Sequence, residues 1–151
     1  KHNYPWHIFV VTDFIKKNKK GFMTPGDLKE LSKYKYVTIG SHSKSHVHLT
    51  MTDDAELKKE LSESKSYLED LLGEDVCSVS YPYGSANQRV IVEAKRAGYH
   101  IGCSSYSNIN LSGVDPMGLY RTPIFSYDDT KIFSQKIFGA WDWMKYFTNK
   151  P

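Results

Sequence analysis

Three of the six histidines of the chain, His42, His46 and His48, lie within a single segment of seven residues. His42 and His46 are four positions apart, so one helical turn would bring both imidazoles to the same side. Imidazole nitrogens are common ligands of Zn²⁺, and this spacing therefore indicates a pair of metal ligands. The alternative that stays open is a solvated turn whose histidines bind nothing.

The histidine segment directly follows an apolar run, Tyr36-Val37-Thr38-Ile39, which predicts a buried strand. Gly40 and Ser41 end this strand, so the two candidate ligands come after its C-terminal end. Parallel α/β folds bind their ligands at that end of the strands. The position of the histidines along the chain is therefore consistent with a functional site.

A second turn, Ser80-Tyr81-Pro82-Tyr83-Gly84, follows another strand-like run at residues 76–81. Pro-Tyr-Gly by itself is an ordinary turn signal, and a purely structural turn is an open alternative. Since both turns follow predicted strands, a parallel sheet would bring them to the same edge.

Together the two segments resemble motifs of the polysaccharide deacetylases, the carbohydrate esterase 4 or NodB-homology family. The motif style is closest to the branch that acts on poly-N-acetylglucosamine. The resemblance implies a divalent ion, zinc in the first place and otherwise cobalt, nickel or iron. His42 and His46 would be two of its ligands and an Asp the third, whereas His48 receives no ligand role.

The resemblance also gives roles to the Pro-Tyr-Gly turn. The backbone N–H of Tyr83 would help to hold the oxyanion that forms when an acetamide is attacked, because a fixed donor stabilises charge developing on oxygen. Tyr81, Pro82 and Gly84 would form one wall of the substrate groove. The family's Arg of this motif aligns with Ser80, and Arg121 is the candidate that would steady the catalytic base instead.

The family's Trp-bearing motif has no clear match in the chain, and two further motifs are missing. The T-F-D-D motif, whose Asp residues are the general base and the third metal ligand, normally precedes the stretch that begins near Tyr4. The late L-x-x-H motif supplies the general acid, but no histidine follows His100. Asp13, at the end of a predicted strand, is a candidate stand-in, and a simple turn-capping role is its alternative.

The wider pattern alternates strands with helices, which predicts βαβ units and a mostly parallel sheet. The strand-like runs are residues 6–14, 36–39, 76–81, 99–104 and 119–125. Helices are predicted from Thr24, Asp53, Asn87 and Asp129, the last with Phe133, Ile137, Trp141 and Met144 on one face. The resemblance implies a distorted, incomplete (β/α) barrel of the NodB type. Residues 1–151 would form a single partial domain that lacks the N-terminal strand or strands.

Bulk properties narrow the function classes. With 40% hydrophobic and 25% charged residues, the chain has the composition of a globular domain. A formal charge of +3 makes no case for nucleic acid, and no apolar run reaches the roughly 20 residues of a membrane span. Cys77 and Cys103 are expected to be buried free thiols. A location outside the cytoplasm is implied by the resemblance alone.

The expected function is therefore the metal-dependent removal of acetyl groups from an N-acetylated, or alternatively O-acetylated, polysaccharide. One rival is a degenerate, catalytically inactive deacetylase fold that binds carbohydrate or has a structural role. A second rival is a metal-dependent hydrolase on a related barrel that acts on a small amide.

Overall fold

The computed structural model describes residues 4–139. Four strands form one parallel sheet in sequence order: β1 (Trp6–Val10), β2 (Val37–Ser41), β3 (Ser78–Ser80) and β4 (Ile101–Cys103). Five helices accompany them: α1 (Thr12–Lys16), α2 (Pro25–Leu31), α3 (Asp54–Leu72), α4 (Gln88–Arg96) and α5 (Thr130–Ile137). Within the described residues the sheet stays open, which confirms the predicted α/β fold of an incomplete barrel.

The helix boundaries follow local capping chemistry. The Thr24 side chain accepts the backbone N–H of Asp27, whose carboxylate accepts the N–H of Thr24 in return, and Pro25 occupies the first helical position of α2. Asp53 caps α3 by accepting the backbone N–H of Glu56 at 2.8 Å. Gly73 ends α3 with φ 73°, a left-handed conformation that glycine adopts without a Cβ penalty.

Helix α3 is the centre of the helical layer. It contacts α1, α2 and α4 and packs on β2. Leu57, Leu61 and Leu68 point from it into the core and are at most 1% exposed. The same face of α3 also carries two polar residues, Glu60 and Ser64, that are fully buried.

The strand register aligns the C-terminal ends of neighbouring strands. Val10 of β1 pairs with Ser41 of β2, Ser41 with Val79 of β3, and Ser80 with Cys103 of β4. The segments that leave these strands therefore meet along one edge of the sheet, where the sequence analysis expects the site.

Two predicted strand boundaries are wrong. The run 6–14 stops being a strand at Val10, because the chain turns into α1 and Asp13 lies in the first turn of that helix. The run 119–125 forms only an isolated bridge between Leu119 and Cys103. The backbone N–H of Arg121 then donates to the carbonyl of Tyr106 and not to a strand.

The exposure of the two cysteines and of the last helix agrees only in part with the sequence-based expectations. Cys103 is buried as predicted, but Cys77 precedes β3 and is exposed. On α5, Phe133 and Ile137 are exposed, and the other two residues predicted for that face, Trp141 and Met144, lie outside the described residues. No helix within residues 4–139 is long and apolar enough to cross a membrane.

The central position of α3 predicts a large effect of truncating Leu68, which is fully buried. We expect Leu68→Ala to lower the free energy of unfolding by about 2–5 kcal/mol, because it removes buried methyl groups and leaves a cavity. Urea unfolding measures this change. Lys58→Ala, on the exposed side of the same helix, is the control and should change the stability by no more than about 0.5 kcal/mol.

Candidate metal centre

His42 is the more firmly held of the two candidate ligands. It directly follows β2, and its backbone N–H donates to the carbonyl of Val10 at 2.8 Å. Its side-chain Nδ1 lies 2.6 Å from the carbonyl oxygen of Ser80 at the end of β3. The imidazole is thus fixed between the ends of three neighbouring strands.

The hydrogen bond to Ser80 also decides the tautomer of His42. A carbonyl oxygen can only accept, so Nδ1 carries the proton and Nε2 keeps a free lone pair. Metal-binding histidines commonly donate their second ring nitrogen to a carbonyl in this way. His42 therefore has the donor arrangement that a metal ligand requires.

His46 completes the pair. Its ring centroid lies 4.8 Å from that of His42, and the two rings meet edge to face. Two imidazoles on one tetrahedral ion, with metal–nitrogen distances of about 2.1 Å, have centroids roughly 5 Å apart. The predicted pair is therefore brought together at a separation that suits a shared ion.

Burial lowers the pKa of His42 below its ordinary value of 6.5, although the hydrogen bond to Ser80 acts in the opposite direction. The positive charges of His46 and Arg121 lower it further. Since the folded-state pKa is depressed, the unfolded chain takes up a proton first as the pH falls. The stability from neutral His42 is therefore fully present above pH 6.5 and is lost as the pH falls through the folded pKa.

The turn between the two histidines has an unusual backbone. Ser43 and His46 both have positive φ, 63° and 66°, in the left-handed region. The Ser43 hydroxyl accepts the N–H of His46 at 3.1 Å. The carbonyls of Ser43 and Lys44 accept the N–H groups of Thr12 and Asp13, which are donors that the start of α1 leaves unpaired. Helix α1 and the histidine turn therefore stabilise each other.

Glu60 of α3 contacts the same turn, and the sequence did not predict this contact. One carboxylate oxygen accepts the N–H groups of Lys44 and Ser45 at 3.0 and 2.9 Å, and the other accepts the Ser45 hydroxyl at 2.5 Å. The sequence feature that could have indicated the contact is the position of Glu60 on the apolar face of α3, beside Leu57 and Leu61.

Tyr83 forms an aromatic surface beside the histidines. Its φ of 59° turns the chain sharply, and its side chain is 55% exposed. Its ring stacks on His48 with centroids 3.8 Å apart and lies 4.8 Å from the ring of His46. The two turns predicted to share an edge of the sheet therefore touch.

Tyr81, Pro82 and Gly84, the neighbours of Tyr83 at this turn, are buried, and their role in the substrate groove stays a prediction. Tyr81 is fully buried, and its hydroxyl donates to the carbonyl of Met117 at 2.9 Å, passing over Gly102, where a Cβ would collide with it. The physical reason is that Tyr81 continues β3 inward, so only the side chain of Tyr83 faces solvent.

Arg121 lies beside Ser80, the residue that stands where the family motif has Arg. Its Nη2 donates to the Ser80 hydroxyl at 2.8 Å, and its Nε donates to the carbonyl of Ser104 at 2.7 Å. Ser80 thus contacts Arg121 through its hydroxyl and His42 through its carbonyl. A guanidinium from a distant segment consequently lies next to the position of the missing one.

An apolar recess of about 250 Å³ opens beside the histidine pair. Its walls, apart from His42 and His46, are mainly the side chains of Phe9, Val10, Phe14, Phe22 and Met23. Apolar walls reduce the local dielectric, which strengthens electrostatic interactions at the neighbouring imidazoles.

The described residues contain two candidate ligands and not three. Within residues 4–139, no group of three or more His, Cys, Asp or Glu side chains is placed to hold a metal ion. Asp13, the candidate stand-in, instead pairs with Lys17 at 2.7 Å. The His42–His46 pair fits a metal, and a third protein ligand would have to come from outside these residues.

Comparison with known proteins identifies the family and the fold. The family model described as polysaccharide deacetylase matches residues 1–102. The Bacillus subtilis (strain 168) protein YxkH, which is named as a polysaccharide deacetylase, is 24% identical over 98 residues. That alignment covers 65% of this chain but only 34% of YxkH. The chain therefore spans about a third of the length of this relative.

Two solved structures show the same fold. Streptococcus pyogenes deacetylase PplD, in complex with acetate, superposes with a TM-score of 0.83 at 20% identity, covering 89% of this chain and 59% of PplD. BA3943 from Bacillus anthracis, described as a CE4 family pseudoenzyme, superposes with a TM-score of 0.60 at 17% identity, covering 71% of this chain and 35% of BA3943. The fold is therefore shared with a deacetylase and with a pseudoenzyme.

The position of Arg121 predicts a measurable electrostatic effect. Its charge lowers the pKa of His42 and of His7, in addition to the effect of burial on both. We expect Arg121→Gln to raise both pKa values, as measured from the histidine ring signals in an NMR titration. Arg89→Gln, which removes an arginine paired with Asp54, is the control. Unchanged titration midpoints in Arg121→Gln would show that the charge of Arg121 does not lower the pKa of His42 and His7.

Proposed function

The chain belongs to the polysaccharide deacetylase family, and on that premise we propose that it is part of a metal-dependent hydrolase that removes acetyl groups from an N-acetylated polysaccharide. The observation that carries the proposal is the histidine pair. His42 presents Nε2 because its Nδ1 donates to Ser80, and the ring of His46 lies 4.8 Å away. An O-acetylated polysaccharide, whose acetyl groups are held by ester bonds, is the alternative substrate.

His42 and His46 would hold the divalent ion, with zinc as the first candidate and cobalt, nickel or iron as others. When bound, such an ion activates water and stabilises negative charge on a carbonyl oxygen. The family resemblance assigns the third ligand and the general base to Asp residues, and these would come from another part of the protein. The general acid, a histidine in the family, would also come from elsewhere.

Tyr83 would contribute its backbone N–H to the oxyanion. The turn that carries it is bent by the positive φ of Tyr83 and lies against His46 and His48. A donor fixed in a turn needs no reorganisation when charge develops on the substrate oxygen, which is the basis of its stabilising effect.

Arg121 would position the catalytic base that the rest of the protein supplies. Its guanidinium is held by the Ser80 hydroxyl and the Ser104 carbonyl, and it lies over the ring of Phe9 with 5.5 Å between Cζ and the ring centroid. These contacts leave some of its five N–H donors for a carboxylate. Arg121 lies beyond the residues that the family model matches, which end at residue 102.

The exposed aromatic pair Tyr83 and His48 is suited to sugar binding. Two rings stacked at 3.8 Å present a flat, partly apolar surface next to the histidine pair. Such surfaces pack against the apolar faces of sugar rings and keep polar groups at their rim. An acetylated envelope polymer such as poly-N-acetylglucosamine is the substrate class we propose, with the protein acting outside the cytoplasm.

An inactive carbohydrate-binding or structural domain is the second candidate. It is favoured by the lack of a three-ligand group within residues 4–139 and by the shared fold with a CE4 pseudoenzyme. In that case the full-length wild-type protein would release no acetyl groups from the polysaccharide.

The proposal is tested on the full-length protein that contains this chain, with release of acetate from N-acetylated polysaccharide as the readout. We expect His42→Ala or His46→Ala to lower kcat/KM by more than about 100-fold, since even residues that only support a metal ligand affect activity by 10–100-fold. Removal of the metal with a chelator should abolish activity, and added zinc should restore it.

His48→Ala is the matched control, because His48 belongs to the same segment but is exposed and carries no ligand role. It should keep the metal bound, and any loss of activity should appear in KM through the stack with Tyr83. A full-length protein that remains active after substitution of both His42 and His46 would refute the metal-dependent mechanism. A wild-type protein that releases no acetate would favour the inactive domain.

A further inference from the structure

Glu60 is a buried carboxylate whose hydrogen bonds come from the histidine turn. Glu60 is 0% exposed. One of its carboxylate oxygens accepts the backbone N–H groups of Lys44 and Ser45, and the other accepts the Ser45 hydroxyl. The nearby ammonium group of Lys44 instead pairs with Glu63 at 2.7 Å. A buried carboxylate is costly unless it is hydrogen-bonded, so these three bonds are important to Glu60 and to the turn alike.

The hydrogen bonds around Glu60 resemble those of an anion-binding nest in which the Glu60 carboxylate takes the place of the anion. Successive backbone N–H groups that converge on one point, next to a left-handed residue, form a cavity that favours negative charge. Here Ser43 is the left-handed residue, and the N–H groups of Lys44 and Ser45 converge on one oxygen of Glu60. The turn therefore takes its shape around a side chain of α3.

The two histidines depend on this contact to different degrees. His42 has anchors of its own, at the carbonyls of Val10 and Ser80. The polar bond that holds the His46 backbone comes from the Ser43 hydroxyl within the same turn, and its ring contacts Tyr83. We therefore expect loosening of the turn to displace His46 more than His42.

We propose that Glu60 is a positioning residue that fixes His46 relative to His42 before any metal binds. Among the described residues Glu60 forms no hydrogen bond or ion pair with either imidazole, and it acts through the backbone of Lys44 and Ser45. The consequence for metal affinity rests on the proposed function, whereas the consequence for the shape of the turn does not.

The shape of the turn is tested on the metal-free chain by amide hydrogen exchange and NMR. In Glu60→Ala we expect the Lys44 and Ser45 amides to lose at least about tenfold of their protection and the ring contact between His46 and Tyr83 to weaken. Glu60→Gln, whose amide oxygen can still accept, should retain most of both. Leu61→Val, one residue along α3, is the control for general destabilisation and should affect neither.

The second readout is zinc affinity, measured by calorimetry on the full-length protein that contains this chain. We expect Glu60→Ala to weaken binding by about 10–100-fold, the range for residues that orient a ligand, and Glu60→Gln to weaken it less. If Glu60 acts through His46, adding Glu60→Ala to His46→Ala should cause little further loss. A merely structural role would give additive losses.

The outcomes separate the two claims. If wild type binds no zinc but Glu60→Ala still deprotects the turn and releases His46, the proposed metal function fails and the positioning role stands. If Glu60→Ala leaves the Lys44 and Ser45 amides protected and the ring contact between His46 and Tyr83 intact, the positioning role is refuted. Additive losses of zinc affinity in the double variant would refute it as well.

Discussion

The hydrogen bond from His42 Nδ1 to the Ser80 carbonyl is the interaction on which the site depends. It joins the end of β2 to the end of β3 across 38 positions of sequence and sets which ring nitrogen of His42 is free. It is available because the parallel register pairs Ser41 with Val79, so the residues that follow each strand lie side by side. The sheet therefore positions the imidazole and also determines its chemistry.

The turn that carries His46 is shaped by its surroundings more than by its own sequence. Helix α1 donates to its carbonyls through Thr12 and Asp13, and Glu60 of α3 accepts from its N–H groups. Most polar groups of this backbone are thus satisfied by two different helices. Such a turn is preorganised, and preorganisation reduces the free energy that a ligand must otherwise supply on binding.

Ser80, which stands where the family motif has Arg, lies beside the guanidinium of Arg121. The small side chain of Ser80 leaves room for a guanidinium that arrives from a segment 41 positions away. That segment bridges to β4 through Leu119, and the backbone N–H of Arg121 donates to the Tyr106 carbonyl. The departure from the family motif is therefore compatible with a positive charge beside the site, where it contributes to the lowered pKa of His42.

The sequence by itself determined the α/β alternation, most helix starts and the pairing of His42 with His46. These follow from local physics: capping side chains, apolar periodicity, and four-residue spacing at the end of a strand. It also placed His48 and Tyr83 near the site, but it did not reveal that the Tyr81 side chain is buried, because the direction of a side chain at a strand end is not a local property. Tertiary structure sent the Tyr81 hydroxyl inward to Met117 and left Tyr83 exposed. It also decided the tautomer of His42, the contact of Glu60 with the turn and the place of Arg121, because each depends on atoms from elements 15 or more positions apart.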